Sequence, residues 1–152
     1  MSMKRAGFTL IEMMVVVAMI SIMVAIAAPR VRTIRDRSNL RAARDEVATA
    51  LSVARSAAVQ KGTVATFIVR HDTVRVALNK GLGQVMLPPR ALDVLYGVEL
   101  KPADADTAMT FDSRGFVPDR TGPVTYYLTV AGLKDSLCVS RLGIVTKKGC
   151  VP

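Results

Sequence analysis

A continuous apolar segment near the start of the chain, residues 8–28, limits what this sequence can fold into. Its 21 residues hold one charged group, Glu12, and the others are apolar or carry a small hydroxyl. As a helix the segment would be about 32 Å long, enough to cross a hydrocarbon core of about 30 Å. We therefore expect one transmembrane helix.

Three interpretations of this segment compete. It could be the core of a secretory signal peptide, with Lys4 and Arg5 before it and Ala25-Ile26-Ala27 as a cleavage site with small residues at its first and third positions. Signal-peptide cores usually hold only about 7–15 apolar residues, so this one is long for that class. The segment could instead be a plain single-pass anchor, or an anchor whose precursor is cleaved before the apolar residues.

Glu12 favours cleavage before the segment. A carboxylate inside a membrane span costs roughly 2.5–3.5 kcal/mol on insertion scales, so such a residue is a candidate functional site. Cleavage after Gly7 would give Phe8 a free α-amino group one helical turn from Glu12. That amine, or the same amine on a neighbouring chain, would neutralise the carboxylate.

The residues around this point resemble a known precursor junction. Residues 4–12, Lys-Arg-Ala-Gly-Phe-Thr-Leu-Ile-Glu, are similar to the leader junction of type IV pilins and type II secretion pseudopilins. The resemblance implies cleavage by prepilin peptidase between Gly7 and Phe8, N-methylation of Phe8 and a role of Glu12 in assembly. Pro29 stands where such chains commonly carry a helix-kinking proline.

The same resemblance implies a location and a set of partners. We expect a single-pass protein of the bacterial inner membrane, with its head in the periplasm and incorporated into a filament after processing. The implied partners are prepilin peptidase, other pilin or pseudopilin subunits, an inner-membrane assembly platform and membrane lipid. The positive-inside rule alone points the other way, because residues 30–37 contain four arginines and only Lys4 and Arg5 precede the span.

The rest of the chain divides into a stalk and a head. After the leader peptide (1–7) and the transmembrane helix (8–28), apolar and alanine positions in residues 29–61 recur at steps of three and four. This spacing predicts an amphipathic stalk helix that ends at Lys61-Gly62. Residues 62–152 predict a β-rich extracytoplasmic head, with strands at 63–70, 73–78, 85–87, 94–100, 124–130, 137–141 and 144–146, and mainly loop at 101–123.

The predicted fold class is therefore α+β. A long N-terminal helix, transmembrane in its first half, should carry a C-terminal antiparallel β-sheet head packed on its second half. Cys138 and Cys150 lie 12 positions apart in a chain with an export-type N-terminus. A disulfide is the expectation if the head is extracytoplasmic, and two free buried thiols in a cytosolic protein are the alternative.

Two short stretches of the head narrow the resemblance. Phe111-Asp112-Ser113-Arg114-Gly115 resembles a motif of the H-type minor pseudopilins of type II secretion and of FimT-type minor pilins. Residues 138–143 resemble their last strand and turn. The resemblance implies a minor subunit that takes part in filament assembly and protein secretion, and a pilus-associated DNA-binding minor pilin of natural competence is the alternative.

DNA is not favoured as a partner. FimT-type pilins that take up DNA carry arginines directly after the glycine that corresponds to Gly143, whereas here the candidate contacts are Arg141, Lys147 and Lys148. The net charge of +9 is also concentrated beside the membrane segment. Residues 30–61 hold eight basic and three acidic groups, against eleven and eight in residues 62–152, and a nucleic-acid-binding head would usually show the opposite distribution.

The sequence shows no recognisable catalytic arrangement. The single histidine, His71, falls in a predicted turn, and two cysteines with one histidine do not make a usual zinc site. We therefore expect a protein that is not an enzyme and that binds no metal or cofactor.

Overall fold

The computed structural model describes residues 8–78, 85–103, 108–147 and 150. Two compact units divide the chain, Met1–Arg35 and Asp36–Pro152, so that the long first helix contributes to both. The elements in chain order are α1 Leu10–Lys61, β1 Ala65–Arg70, β2 Thr73–Leu78, β3 Val85–Ala91, α2 Leu92–Tyr96, β4 Glu99–Pro102, β5 Ala108–Phe111, β6 Val124–Val130, β7 Leu133–Val139 and β8 Val145–Thr146.

Helix α1 begins and ends where its backbone groups find local partners. At its start the Thr9 carbonyl accepts the Met13 N–H at 3.3 Å, and the Thr9 hydroxyl accepts the Glu12 N–H at 3.3 Å. At its end Gly62 takes a left-handed φ of 59°, and the Thr63 N–H reaches back to the Ala58 carbonyl at 3.1 Å. This is the pattern of a glycine C-cap, as the sequence predicted.

The part of α1 in the second unit buries one face made mainly of alanine. The buried residues of the helix are Leu40, Ala43, Val47, Ala48, Ala50, Leu51, Ala54, Ala57 and Ala58. They include every residue of the apolar face predicted from the three-and-four spacing. This face of α1 is therefore part of the hydrophobic core of the second unit.

The head consists of two four-stranded antiparallel sheets where the sequence suggested one. Their strand orders are β3-β2-β1-β5 and β4-β6-β7-β8. The ring of Phe67 on β1 meets that of Tyr126 on β6 edge to face at 5.7 Å, and both side chains are buried. The two sheets therefore share a core with the helix, which confirms the α+β class.

Some of the predicted strands are wrong in position or kind. Residues 94–100 are not one strand, because Leu92–Tyr96 is a short helix that Gly97 terminates with a left-handed φ of 67°, and β4 starts only at Glu99. The stretch 101–123, predicted to be mainly loop, contains β5, which pairs with β1. Strand β3 continues through Pro88 and Pro89 to Ala91, which an edge strand tolerates.

Candidate functional site

The first candidate site is the start of α1, where Glu12 occupies the first helical turn. A negative side chain is favoured there because the helix N-terminus carries partial positive charge. Phe8 precedes the helix and its side chain is 80% exposed. Gly7 and residues 1–6, the predicted leader, lie outside the residues that the structure describes.

The helix that follows presents an apolar surface on all sides. The large apolar side chains from Leu10 to Ile26 are all exposed. By length and composition this helix is able to cross a membrane. An exposed apolar surface of this size is typical of segments that contact a membrane or another protein chain.

The second candidate site is the turn that follows β5. The Asp112 carboxylate accepts backbone N–H groups of Arg114 and Phe116, both at 2.9 Å, and its other oxygen accepts the Arg114 guanidinium at 3.1 Å. These donors, the Phe116 N–H first among them, lower the pKa of Asp112 below its ordinary value. The Arg114 guanidinium also lies over the Phe116 ring, 5.6 Å from its centre.

The structure brings this turn against the turn after β7. The Val117 N–H donates to the Arg141 carbonyl at 2.9 Å, and Gly143 has a left-handed φ of 72°. A Cβ on Gly143 would lie 2.3 Å from the Gly115 carbonyl oxygen. The two stretches that resemble minor pilin motifs are therefore parts of one surface.

Arg55 of α1 joins both turns, and sequence reasoning missed it. Its Nε donates to the Gly115 carbonyl at 3.2 Å and lies 3.0 Å from the position that a Gly143 Cβ would take. Its neighbour in the sequence, Ala54, belongs to the buried face, so Arg55 stands at the margin of that face. This position was a signal that the side chain would meet the head instead of extending into solvent.

The candidate DNA contacts do not form a free basic cluster among the described residues. Arg141 is exposed on its turn, but Lys147 donates to Asp45 on α1 at 3.1 Å. The hydrogen bond from Lys147 is the largest of the effects that lower the pKa of Asp45. Lys148 lies outside the described residues.

The two cysteines are paired, as the sequence predicted. Cys138 at the end of β7 and Cys150 form a disulfide, with their Cα atoms 5.0 Å apart. The Thr125 hydroxyl of β6 donates to the Cys150 sulfur at 3.2 Å. The bridge therefore attaches the end of the chain to the second sheet.

Comparisons with known proteins found similarities both to the N-terminal segment and to the fold. Residues 2–28 match the family model for the prokaryotic N-terminal methylation motif. The type IV minor pilin FimU of Pseudomonas aeruginosa PAO1, solved in two crystal forms, superposes with TM-scores of 0.63 and 0.58 at 19% identity. The matched regions cover 74% and 70% of this chain, and 90% of the FimU chain in both forms. No curated protein sequence matches.

The long helix and the two-sheet head define a type IV pilin-like fold, and the prokaryotic N-terminal methylation motif includes the start of the long helix. Among solved structures, the minor pilin FimU shares that fold. The chain therefore combines a prokaryotic N-terminal methylation motif with a fold similar to that of FimU.

Proposed function

We propose that this protein is a minor pilin or pseudopilin, a subunit of a type IV pilus or of a type II secretion pseudopilus. It takes part in filament assembly, and in the second case in protein secretion. The observation that supports this most directly is the methylation motif over residues 2–28, which includes the start of α1, where the large apolar side chains are exposed on all sides. A soluble protein would have to bury such a helix, whereas a filament subunit keeps it for lipid and for its neighbours.

The proposed maturation starts with prepilin peptidase. It removes residues 1–7 by cutting between Gly7 and Phe8, and the new α-amine of Phe8 is methylated. The mature chain stays in the inner membrane through residues 8–28, with its head in the periplasm, until the assembly platform adds it to the filament. We infer this orientation of the chain in the membrane from the leader junction. The excess of arginines after the span would favour the opposite orientation under the positive-inside rule.

Glu12 then guides assembly through its charge. Within the filament the apolar helices cover one another, so an unpaired carboxylate there would be costly. The Phe8 amine of a neighbouring subunit supplies the opposite charge. A subunit that docks in the wrong register leaves its Glu12 unpaired. The cost of that unpaired carboxylate favours the register in which Glu12 and the Phe8 amine meet.

Replacing Glu12 tests this proposal. Membrane insertion of Glu12→Ala should be equal to or better than that of the wild type, since the carboxylate is gone. Incorporation into filaments should fall by about tenfold or more, because a lost pairing of about 1.4 kcal/mol already gives that factor. The measurement is the ratio of filament-associated to membrane-associated protein after shearing or cross-linking.

Two further variants make this result specific. Glu12→Gln keeps the shape of the side chain without its charge and should behave like Glu12→Ala. Met13→Ala changes the adjacent exposed side chain and should assemble normally. Wild-type incorporation of Glu12→Ala would contradict the pairing, unless the subunit is found at the filament tip, where no neighbour follows it.

A further inference from the structure

A cleft of about 670 Å³ opens between the turn after β5 and the turn after β7. Its lining combines the guanidinium groups of Arg114 and Arg141 with the exposed apolar side chains of Phe116 and Leu142. The lining also contains Asp112, whose carboxylate is already paired with Arg114 at 3.1 Å. We call this the Arg141 cleft, because it offers a partner apolar contact beside an arginine that is still available.

Arg141 is the available charge of this cleft. Its side chain is exposed and makes no ion pair within the described part of the chain. The walls around it are fixed by backbone hydrogen bonds, since the Val117 N–H donates to the Arg141 carbonyl at 2.9 Å and the Phe116 N–H donates to Asp112 at 2.9 Å. A partner that docks here therefore has little ordering of the cleft to oppose its binding.

Helix α2 presents the complementary set of groups. Asp93 is exposed and makes no ion pair among the residues that the structure describes. The next two side chains are apolar and also exposed, Val94 at 80% and Leu95 at 50%. Residues 93–95 thus display one carboxylate beside two apolar side chains, which matches the arginine and the apolar lining of the cleft.

The helix that displays these residues is held in place on both sides. Its first residue, Leu92, is fully buried, and the Leu92 N–H donates to the Asp72 carbonyl at 2.9 Å. At its last residue, the Tyr96 carbonyl accepts the Asn39 side chain at 3.1 Å. The exposed side of α2 is therefore a rigid surface, and such surfaces lose little entropy on docking.

The cleft and α2 contact α1 at different levels. Asn39 contacts α2, whereas Arg55, which is 16 residues further along, donates to the Gly115 carbonyl beside the cleft. Those 16 residues correspond to about 24 Å of helix. Since α2 is fixed, a chain cannot place it in its own cleft. A contact between the two surfaces must join two copies, and it is heterologous, so repetition gives a ring or an open filament.

We propose that residues 93–95 of one copy of this chain dock in the Arg141 cleft of a second copy. The Asp93 carboxylate pairs with the Arg141 guanidinium, and the two apolar side chains of α2 cover Phe116 and Leu142. Removal of water by these apolar groups strengthens the ion pair at the centre of the contact.

The same groups fit a protein better than they fit a nucleic acid. The Arg114 guanidinium lies over the Phe116 ring, 5.6 Å from its centre, so it occupies a ring face on which a base would stack. Arg114 is also paired with Asp112, which leaves Arg141 as the free cation of the lining. Nucleic-acid affinity comes from several phosphate contacts, and one free arginine supplies few.

The contact goes beyond the proposed function and does not depend on the pairing of Glu12. Both surfaces belong to the unit from Asp36 onward, which has its own core. In a filament, the contact would join the heads of successive copies while Glu12 acts in the apolar segment.

Thiol cross-linking between two variants of the full-length chain tests the contact. Both native cysteines are in the disulfide, so Leu95→Cys and Leu142→Cys each add one thiol to the protein purified in detergent. A short bismaleimide then joins copies whose thiols meet. Tyr127→Cys is the matched control for Leu142→Cys, because Tyr127 is 50% exposed on β6 and is not part of the cleft lining.

We expect an equal mixture of Leu95→Cys and Leu142→Cys to give at least about fivefold more cross-linked dimer than a mixture of Leu95→Cys and Tyr127→Cys. Each variant alone should give as little dimer as the control mixture, because a heterologous contact brings unlike surfaces together.

Charge reversal tests the ion pair within this contact. Arg141→Glu on the Leu142→Cys copy should lower the dimer yield at least about fivefold, because the pair with Asp93 becomes repulsive. Asp93→Arg on the Leu95→Cys copy should then restore the yield to within about twofold of the original, since the two charges have been exchanged. Local damage at either position would not be reversed by the second substitution.

Three outcomes overturn the inference. The first is an equal yield from the cleft mixture and the control mixture, or a yield that Arg141→Glu leaves unchanged. The second is a cross-link that forms in cells to a different protein and is absent from the purified chain, which would assign the cleft to another subunit. The third is nucleic acid that stays on the purified chain and is lost in Arg141→Glu. None of them changes the filament incorporation of the Glu12 variants, so a failure of this contact is distinguishable from a failure of the proposed function.

Discussion

Among the glycines that the structure describes, Gly143 is the one where a side chain would have least room. Its φ of 72° is left-handed, and a Cβ would meet the Gly115 carbonyl at 2.3 Å. Gly132, with a φ of 81°, has the same backbone strain but nothing within 4 Å of its Cβ position. A comparison of substitutions at Gly132 and Gly143 therefore distinguishes the cost of the left-handed backbone, which both positions share, from the cost of the steric clash, which occurs at Gly143.

We predict that Gly132→Ala lowers the free energy of unfolding by about 1 kcal/mol, the strain of a left-handed alanine. Gly143→Ala should lower it by about 1–3 kcal/mol more, since the Gly115 turn must also move. Chemical denaturation of the full-length protein in detergent, followed by circular dichroism, measures both. Equal losses in the two variants would show that the turns after β5 and β7 do not meet as described.

Asp112 gives the head a sensitivity to acid. Its pKa is lowered in the folded state by the hydrogen bonds from Phe116 and Arg114. A depressed carboxyl pKa contributes stability that is present above the unfolded value of about 3.9 and is lost as the pH falls through the folded value. Asp112 should therefore add no pH dependence to the melting temperature near neutral pH, and its protonation should lower the melting temperature in the acid range.

The Asp112→Asn variant should have a lower melting temperature than the wild type at neutral pH. On acidification, its melting temperature should fall by less than that of the wild type. Asp45→Asn is the comparison, because the pKa of Asp45 is also lowered but its main partner is the exposed Lys147, and such surface pairs contribute little. Thermal melts across the acid range provide the measurement. An Asp112→Asn protein with the wild-type acid profile would contradict the role given to this carboxylate.

At the level of elements, the disulfide between Cys138 and Cys150 fixes the end of the chain to β7. A loop closed over 12 positions contributes about 3 kcal/mol on the chain-entropy model. Reduction should therefore lower the melting temperature of the head. The variant with Ser at both positions should melt at that lower temperature and be indifferent to reductant, and a wild-type melt unchanged by reductant would contradict the prediction.

Elements whose pattern is local were predictable from the sequence. The buried face of α1 follows from its alanine spacing, and the β1–β2 hairpin follows from alternation around His71 and Asp72, which adopt the positive φ values of a tight turn, 45° and 57°. The start of α1 was expected at residue 8, whereas the helix begins at Leu10, after Thr9, whose hydroxyl caps it.

Elements that depend on distant partners were not predictable. Strand β5 is four residues long and exists through its pairing with β1, some forty residues earlier. Residues 94–100 are rich in β-branched and large apolar side chains, which favoured a strand. Val98 and Leu100 do enter the core, but Val94 and Leu95 are exposed on the short helix before Gly97. The position of Arg55 at the margin of the buried face indicated a contact with the head, but not that the contact would be with the turns at Gly115 and Gly143, because the proximity of these turns is a property of the folded head.

At the level of the whole molecule, the two units have opposite requirements. The second unit buries a continuous core of helix and sheet residues and needs no partner to do so. The described part of the first unit exposes nearly every apolar side chain that it has. A chain built in this way needs a surrounding of lipid or of like helices, which is the arrangement that a pilin-type filament provides.

The mass of the N-terminal peptide of the mature protein tests this account most directly. We predict that the protein recovered from membranes begins at Phe8 and carries one methyl group on its α-amine. In cells without prepilin peptidase, the protein should retain residues 1–7. A mature chain that begins at Ala28 would identify the apolar segment as a conventional signal peptide. That result would contradict the membrane anchor, the pairing of Glu12 and the filament together.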